Sequence, residues 1–297
     1  MKALLRSAVQ TLARSISSYM ADPLDGDSLN QQLQLSLKNQ WLQWRHTGTS
    51  PYGKIREAGF RCYSQFEEDG IILYLMTMLG IESGTAAEMC CGNGRECMAT
   101  NLVLNHGYHG FLFDGSGDNI KEASRFFTEK KDCLLVRPEL SHSWITTDNV
   151  NDLLAAIGCP KDLDFFSLDI DGNDYWVWEA ITAITPKVCC FETHDIIPSE
   201  MSLTVPYNPS FNCWSQPLER QDFRSVSLSA MVKLSKRKGY RLVGSHRHGF
   251  NVFFMRNDIG NDLFPEISVE EVHNNPWTKW GQAKRWEAVK HLGWVEV

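Results

Sequence analysis

Residues 85–115 read TAAEMCCGNGRECMATNLVLNHGYHGFLFDG, and the order of their parts decides the fold. Residues 86–90 are a short apolar run suited to a buried parallel strand, and they lead into Gly92-Asn93-Gly94. A stretch with helical spacing follows, through Cys97, Asn101 and Leu104, and a second apolar run, residues 111–113, ends on Asp114. Strand, glycine turn, helix, strand and acid make one nucleotide-binding βαβ unit. The glycines let the backbone approach a ligand without a Cβ in the way. A carboxylate at the end of the second strand is placed to accept hydrogen bonds from a ribose diol.

The charge around the turn selects among nucleotides. A dinucleotide fingerprint, G-x-G-x-x-G, sets a pyrophosphate on a helix N-terminus. Here Gly92 and Gly94 fill two places, Cys97 takes the third, and Glu88 and Glu96 flank the loop. Two carboxylates repel a pyrophosphate and attract an ammonium or sulfonium group, which favours S-adenosylmethionine over NAD. The blander alternative is a glycine turn between buried elements with incidental acids nearby.

With 297 residues and 43% apolar content, the chain can bury a full core as one large domain or two small ones. A net charge of -7 without a basic stripe argues against nucleic acid as partner. The nine cysteines include no C-x-x-C pair, so neither a zinc site nor a disulfide framework is indicated, and a reduced cytoplasmic setting is expected. No apolar run approaches the ~20 residues needed to span a bilayer.

Three regions follow from the pattern. Residues 1–60 are a helical extension. Within it, residues 1–20 carry Lys2, Arg6 and Arg14 without an acid, with Leu4, Leu5, Val9, Leu12 and Ile16 at helical spacing. A helix packed on the body or on a partner, a membrane-surface helix and a transit peptide all remain open there. A second helix is expected over 28–44. Residues 61–258 are the α/β domain. It opens on a polar turn at 61–69, where Ser64 and Glu67 have capping-box spacing and Gln65, Glu67 or Asp69 is expected over the methionine end of the cofactor. Strands are expected at 133–136, 164–169 and 187–192. A polar insertion at 193–224 carries three prolines, then a helix at 228–238 precedes strands at 240–244 and 251–256. The Trp-rich residues 259–297 form a tail packed on the domain. Helices thus lie on both faces of a mostly parallel, Rossmann-like sheet with a closing antiparallel hairpin, characteristic of the methyltransferase variant. A dinucleotide dehydrogenase more often continues with parallel strands.

The blocks EMCCGNGREC, FLFDG, DFFSLDIDGNDYWVWEAI, PKVCCFETHD and GYRLVGSHRHGFNVFFMRND resemble a branch of the FkbM-type S-adenosylmethionine-dependent methyltransferases, over residues 63–258. The resemblance implies O-methylation of sugars, glycans or natural products. Position by position it assigns Glu88, Gly92 and Gly94 to the cofactor loop, Asp114 to the ribose, and Asp169 and Asp171 to an acidic signature. Cys90 departs from it, standing where many methyltransferases carry a further glycine.

Asp169 and Asp171 leave the fourth strand, and Glu192, His194 and Asp195 leave the fifth. In an open α/β sheet the C-terminal ends of adjacent central strands line the ligand crevice. Asp169, Glu192 and His194 are therefore the expected catalytic groups. Asp169, Asp171, Glu192 and His194 are the expected metal ligands, suited to Mg²⁺ or Mn²⁺, and a bound cation would lower the pKa of an acceptor hydroxyl. Without metal, His194 is the expected base. Gln65, Glu88, Gly92, Asn93, Gly94, Asp114 and Asp169 are the expected cofactor contacts. Asp171 as a turn residue, a helix cap by Asn173 or Asp174, and Glu192 paired with an arginine are the structural alternatives. His246 and His248 are expected in an exposed loop, and Trp176 and Trp178 in the core. The leading reading is an O-methyltransferase acting on a small-molecule or glycan acceptor. A nicotinamide-dependent oxidoreductase and a non-catalytic cofactor-binding scaffold are the alternatives, and the oligomeric state, a homo-oligomer included, stays open.

Overall fold

Continuous apolar runs become strands buried on both faces, because successive side chains point to opposite sides of a sheet. A computed structural model, which describes residues 26–50 and 52–297, shows this pattern throughout. Its elements are α1 (Gly26–Thr47), α2 (Glu68–Leu79), β1 (Thr85–Met89), α3 (Thr100–His106), β2 (His109–Asp114), α4 (Gly117–Glu129), β3 (Glu139–His142) and α5 (Val150–Ala156). They continue with β4 (Phe165–Leu168), α6 (Asp174–Ala180), β5 (Val188–Glu192), β6 (Leu203–Thr204), α7 (Leu228–Arg237), β7 (Tyr240–Ser245) and β8 (Asn251–Arg256). The tail adds α8 (Val269–His273), α9 (Pro276–Lys284), α10 (Trp286–Val289) and β9 (Val295–Glu296). The amphipathic pattern of residues 1–20 lies outside the described residues.

Seven strands pair in the order β3-β2-β1-β4-β5-β8-β7. β1 pairs parallel with β2 and β4, β4 parallel with β5, and only β8 runs against its neighbours. This is the mostly parallel sheet with a closing hairpin expected of a Rossmann-like methyltransferase fold. Alternation along each strand divides the core in two. Ala86, Phe165, Val188, Cys190, Phe253 and Met255 pack with α2, α3 and α4, while Ala87, Phe166, Cys189, Phe191 and Phe254 pack with α5, α6 and α7. A third cluster joins Ile196, Ile197, Val205 and Phe223 of the insertion to Trp286 and Val289 of the tail. The short β6–β9 ribbon fastens the same two segments. Among the described residues, no helix is long and apolar enough to cross a membrane, and nine cysteines are free.

Four local expectations are corrected. The third strand is not at 133–136: Leu134, Leu135 and Val136 are exposed, and β3 is the polar segment Glu139–His142. It is an edge strand with one neighbour, so it lacks the double-sided burial that produces an apolar run. The helix after the glycine turn begins at Thr100, not near Cys97, because residues 91–99 curl around the Glu88 carboxylate. Ser64 does not cap with Glu67. Instead the Asp69 carboxylate accepts the backbone N–H groups of Cys62, Tyr63 and Ser64 at 2.6–2.8 Å, together with the Ser64 hydroxyl. His246 is fully buried in the hairpin, and His248 reaches the pocket described below. Trp178 is buried in the core as expected, and half-buried Trp176 donates to the Val205 carbonyl at 2.8 Å.

Three consecutive acids thus fix the start of α2. Glu67 pairs with Arg247 at 2.9 Å, Glu68 accepts from the Asn251 amide at 2.8 Å, and Asp69 gathers the preceding turn. Replacing Asp69 with alanine strands three buried N–H groups, each worth about 1–3 kcal/mol when unsatisfied. Urea unfolding of Asp69→Ala is expected to show a loss of about 3 kcal/mol; a loss below about 1 kcal/mol would contradict this role.

Candidate functional site

The site is built from the C-terminal ends of β1, β2, β4 and β5, where backbone geometry departs from the ordinary. Three non-glycine residues have positive φ: Cys90 after β1 (74°), Asp171 after β4 (54°) and Ser225 beside Arg224 (56°). Such strain gathers where surrounding structure over-determines a functional loop. Cys90, the departure from the expected glycine, therefore sits in a glycine conformation while keeping a side chain.

On the β1–β2 side, the Gly92 N–H donates to Asp114 Oδ2 at 2.8 Å, and Asp114 Oδ1 accepts from Ser116 N and Asn119 Nδ2. A carboxylate has about four acceptor positions, so three are used and one is left for a ribose hydroxyl rather than for both. A Cβ on Gly92 would meet nothing nearer than the Glu96 carbonyl at 3.9 Å, so that face is open. On Gly94 a Cβ would strike the Phe127 ring at 2.8 Å, so this glycine serves the packing of α4 instead. Asn93 bridges Arg95 N and Glu122. Glu88 lies buried beneath the turn, its Oε2 accepting from Ala99 N at 2.8 Å and from the Cys97 thiol, and burial pushes its carboxyl up to about 7.

Next to this cradle, Cys90, Gly115, Trp144, Ile170, Asn173 and Phe211 line a cavity of about 80 Å³. Sites for molecules of drug size run to roughly 300–1,000 Å³. Aromatic rings take up the difference. Trp144 lies over Gly115 and donates to the Pro209 carbonyl at 2.7 Å, while Phe211 lies over Gly172. The Gly92 backbone and Asp114 stand outside this lining, so the polar groups of the glycine turn and the aromatic-walled cavity are neighbouring but separate features.

On the β4–β5 side, Asp169, Asp171 and Glu192 bring carboxylate oxygens within 4.8 Å of one another. Asp174 shapes the turn by accepting the Ile170 and Gly172 N–H groups. Arg224, returning from the insertion, pairs with Asp171 Oδ1 at 2.7 Å, and Trp214 donates to Asp171 Oδ2 at 3.0 Å. Burial and then mutual repulsion hold Asp169 well above the carboxylate range and push Glu192 up to about 7. The Oε2 atom of Glu192 is buried without a hydrogen-bond partner. Both groups therefore hold a proton more tightly than a free carboxylate does.

His194 does not join the three acids. Its Nε2 is 2.8 Å from the Asp222 carbonyl, and burial with Arg224 and Arg285 nearby drives its pKa down to about 3. A neutral ring donating from Nε2 leaves Nδ1, which makes no hydrogen bond within the protein, as acceptor. Glu192, His194, Arg224, Gln65, Phe66 and Trp277 line a second, polar cavity of about 310 Å³. Gln65 thus stands over this cavity, not beside the glycine turn. Sequence reasoning missed Arg224, Phe211, Trp214 and Trp144, all but the last of which lie in the insertion; their only advance signal was the length of that loop.

Neither a protein family nor a curated protein sequence matches the chain. Among solved structures, similarity is partial. A protein assigned as a sarcosine dimethylglycine methyltransferase from Galdieria sulphuraria overlaps 59% of this chain and 62% of its own, under two thirds of that length, at 15% identity and a TM-score of 0.40. The N-terminal domain of EvdMO1, solved in the presence of SAH and D-fucose, overlaps 73% of this chain and 96% of its own at 10% identity and 0.41. The cyclopropane synthase MmaA2 from Mycobacterium tuberculosis overlaps 62% and 66% at 14% identity and 0.37. The strand order, not these overlaps, defines the fold of this chain.

Two measurements check the site. An L-residue in the left-handed region costs about 1–2 kcal/mol, so Cys90→Gly is expected to stabilise the protein by about 1 kcal/mol in urea unfolding; destabilisation would mean the thiol packs favourably. Glu88 binds its proton more tightly folded than unfolded. Its contribution to stability is therefore complete below pH 4.5, its ordinary value, and is lost as pH rises through about 7. Glu88→Gln is expected to flatten the stability profile across that window by roughly 2 kcal/mol, and an unchanged slope would disprove the assignment.

Proposed function

We propose that the chain is an S-adenosylmethionine-dependent methyltransferase that alkylates a hydroxyl on a polar small molecule, sugars and glycans included. One observation carries this reading: half-buried Asp169 and Glu192 meet at adjacent strand ends beside the glycine turn, and Glu192 lines a separate polar cavity. The motif resemblance to FkbM-type enzymes supports the choice of a hydroxyl acceptor. Bound in the cradle, the cofactor would supply an electrophilic methyl group on a sulfonium. Gly92 and Asp114 hold its ribose end, and the acid field near Glu192 suits the positive centre.

The chain's own groups do the rest. An acceptor hydroxyl entering the polar cavity meets the Asp169–Glu192 pair, which takes the proton released as the oxygen attacks. Arg224 pairs with Asp171 Oδ1 at 2.7 Å, which leaves Asp169 and Glu192 as the acids free to take that proton. His194 Nδ1 accepts a hydrogen bond that orients the acceptor; its low pKa makes it a poor base. The Arg224 guanidinium and the Trp214 indole each take one acceptor position on Asp171, so a divalent cation would have to compete with a positive charge already placed there. The proposed transfer is therefore written without a metal.

Calorimetry is expected to show binding of S-adenosylmethionine and none of NAD; the reverse would return the chain to the oxidoreductases. Glu192→Gln is expected to lower kcat by roughly 10²–10³-fold, within the usual range for a general base. The wild-type rate should rise with pH through about 7 as the pair loses its proton, and that limb should vanish in the variant. Full activity of Glu192→Gln would sink the proposal.

A further inference from the structure

The polar cavity does not end at His248 and Trp277. Those two residues also line an open groove of about 660 Å³, walled by Arg56, Arg247 and Trp280. The groove is built rather than incidental in three respects. Trp277 and Trp280 are 42% and 51% exposed on α9, their rings 5.8 Å apart and tilted by 32°. Neither indole N–H donates to any group among the described residues. The half-buried Arg56 guanidinium has no ion pair or hydrogen bond among the described residues, while exposed Arg247 pairs with Glu67. The wall therefore carries unneutralised positive charge on a chain whose net charge is -7.

We propose that this groove is a second subsite for the methyl acceptor, and that the acceptor is an acidic oligosaccharide of at least two rings. The inference rests on the methyltransferase reading and extends it. One sugar unit presents its hydroxyl to Glu192, and the chain leaves past His248. The next unit lies on the indole faces, where its C–H surface covers apolar area and its hydroxyls accept from the free indole N–H groups. Its carboxylate, sulfate or phosphate meets Arg56 and Arg247, and a guanidinium binds such groups in bidentate fashion. An intercalated flat base does not suit the groove. Two rings sandwiching a third must stand roughly 7 Å apart and parallel, twice the ~3.5 Å contact distance, and these are closer and tilted.

The test titrates the full-length protein with tetragalacturonate, followed by tryptophan fluorescence and calorimetry. Neutral galactotetraose and AMP serve as controls, and S-adenosylhomocysteine affinity is measured on the same samples. Expected is saturable binding of the acidic tetrasaccharide, at least fivefold tighter than the neutral one and tighter than AMP. Trp280→Ala should weaken it about tenfold, and Arg56→Gln should remove the preference for the acidic chain. Both side chains reach solvent, so neither change threatens folding, and unchanged S-adenosylhomocysteine affinity will verify that. Absence of saccharide binding, equal binding by Trp280→Ala, or stronger binding of AMP overturns the subsite. If S-adenosylhomocysteine binds and the saccharides do not, the groove alone is refuted. If the saccharide binds and S-adenosylhomocysteine does not, it is the methyltransferase reading that fails.

Discussion

Three carboxylates crowded at the ends of two neighbouring strands cannot all stay ionised in a half-buried pocket, and most of this molecule's organisation answers that conflict. Arg224 neutralises Asp171 directly, the Trp214 indole takes its second oxygen, and Asp169 and Glu192 settle the remainder by retaining a proton. The arginine can arrive only because residues 193–224 leave β5, cross the strand ends and come back. That excursion is anchored in turn by its own small core with Trp286 and Val289, and by the β6–β9 ribbon. Breaking a buried ion pair by deleting one partner is far more costly than the pair's net worth, since it leaves an uncompensated charge. The tail thus supports the electrostatics of the site, and it also lines the polar cavity through Trp277 and Arg285.

How much of this was legible in advance follows from the range of each interaction. β1, β2, β4, β5 and the hairpin announce themselves because burial on both faces forces apolar runs, as in Phe165–Leu168 and Val188–Glu192. β3 does not, since an edge strand with polar alternation resembles a loop, and the exposed Leu134–Leu135 pair drew the reading away. The meeting of Asp169, Asp171 and Glu192 follows from adjacency of strand ends, a rule of topology. The exclusion of His194 does not. Alternate positions share a face only while the strand lasts; past Glu192 the chain turns, and the imidazole is tied to Asp222 in a distant loop. Arg224 was equally invisible, because nothing local distinguishes it from other exposed-looking loop cations.

The glycines separate two uses of one residue type. Gly92 leaves empty space, whereas Gly94, Gly115 and Gly172 receive Phe127, Trp144 and Phe211 against their bare α-carbons. A motif that looks uniform in sequence is therefore divided between approach to a ligand and close packing. Similarly, the acids of the Glu67-Glu68-Asp69 run are spent on structure, and Gln65 and Phe66 just before them face the polar cavity.

Phe211 and Trp214 lie three residues apart on one stretch, the first lying over Gly172 in the small cavity and the second bonded to Asp171. Any occupant that pushes the phenyl ring aside must also disturb the indole, and so alter the field felt by Asp169 and Glu192. Linkage is reciprocal: whatever changes the protonation of those acids must change the affinity of the first ligand by the same factor. Occupancy of the small cavity and the charge of the acid cluster are in this sense two readings of a single equilibrium.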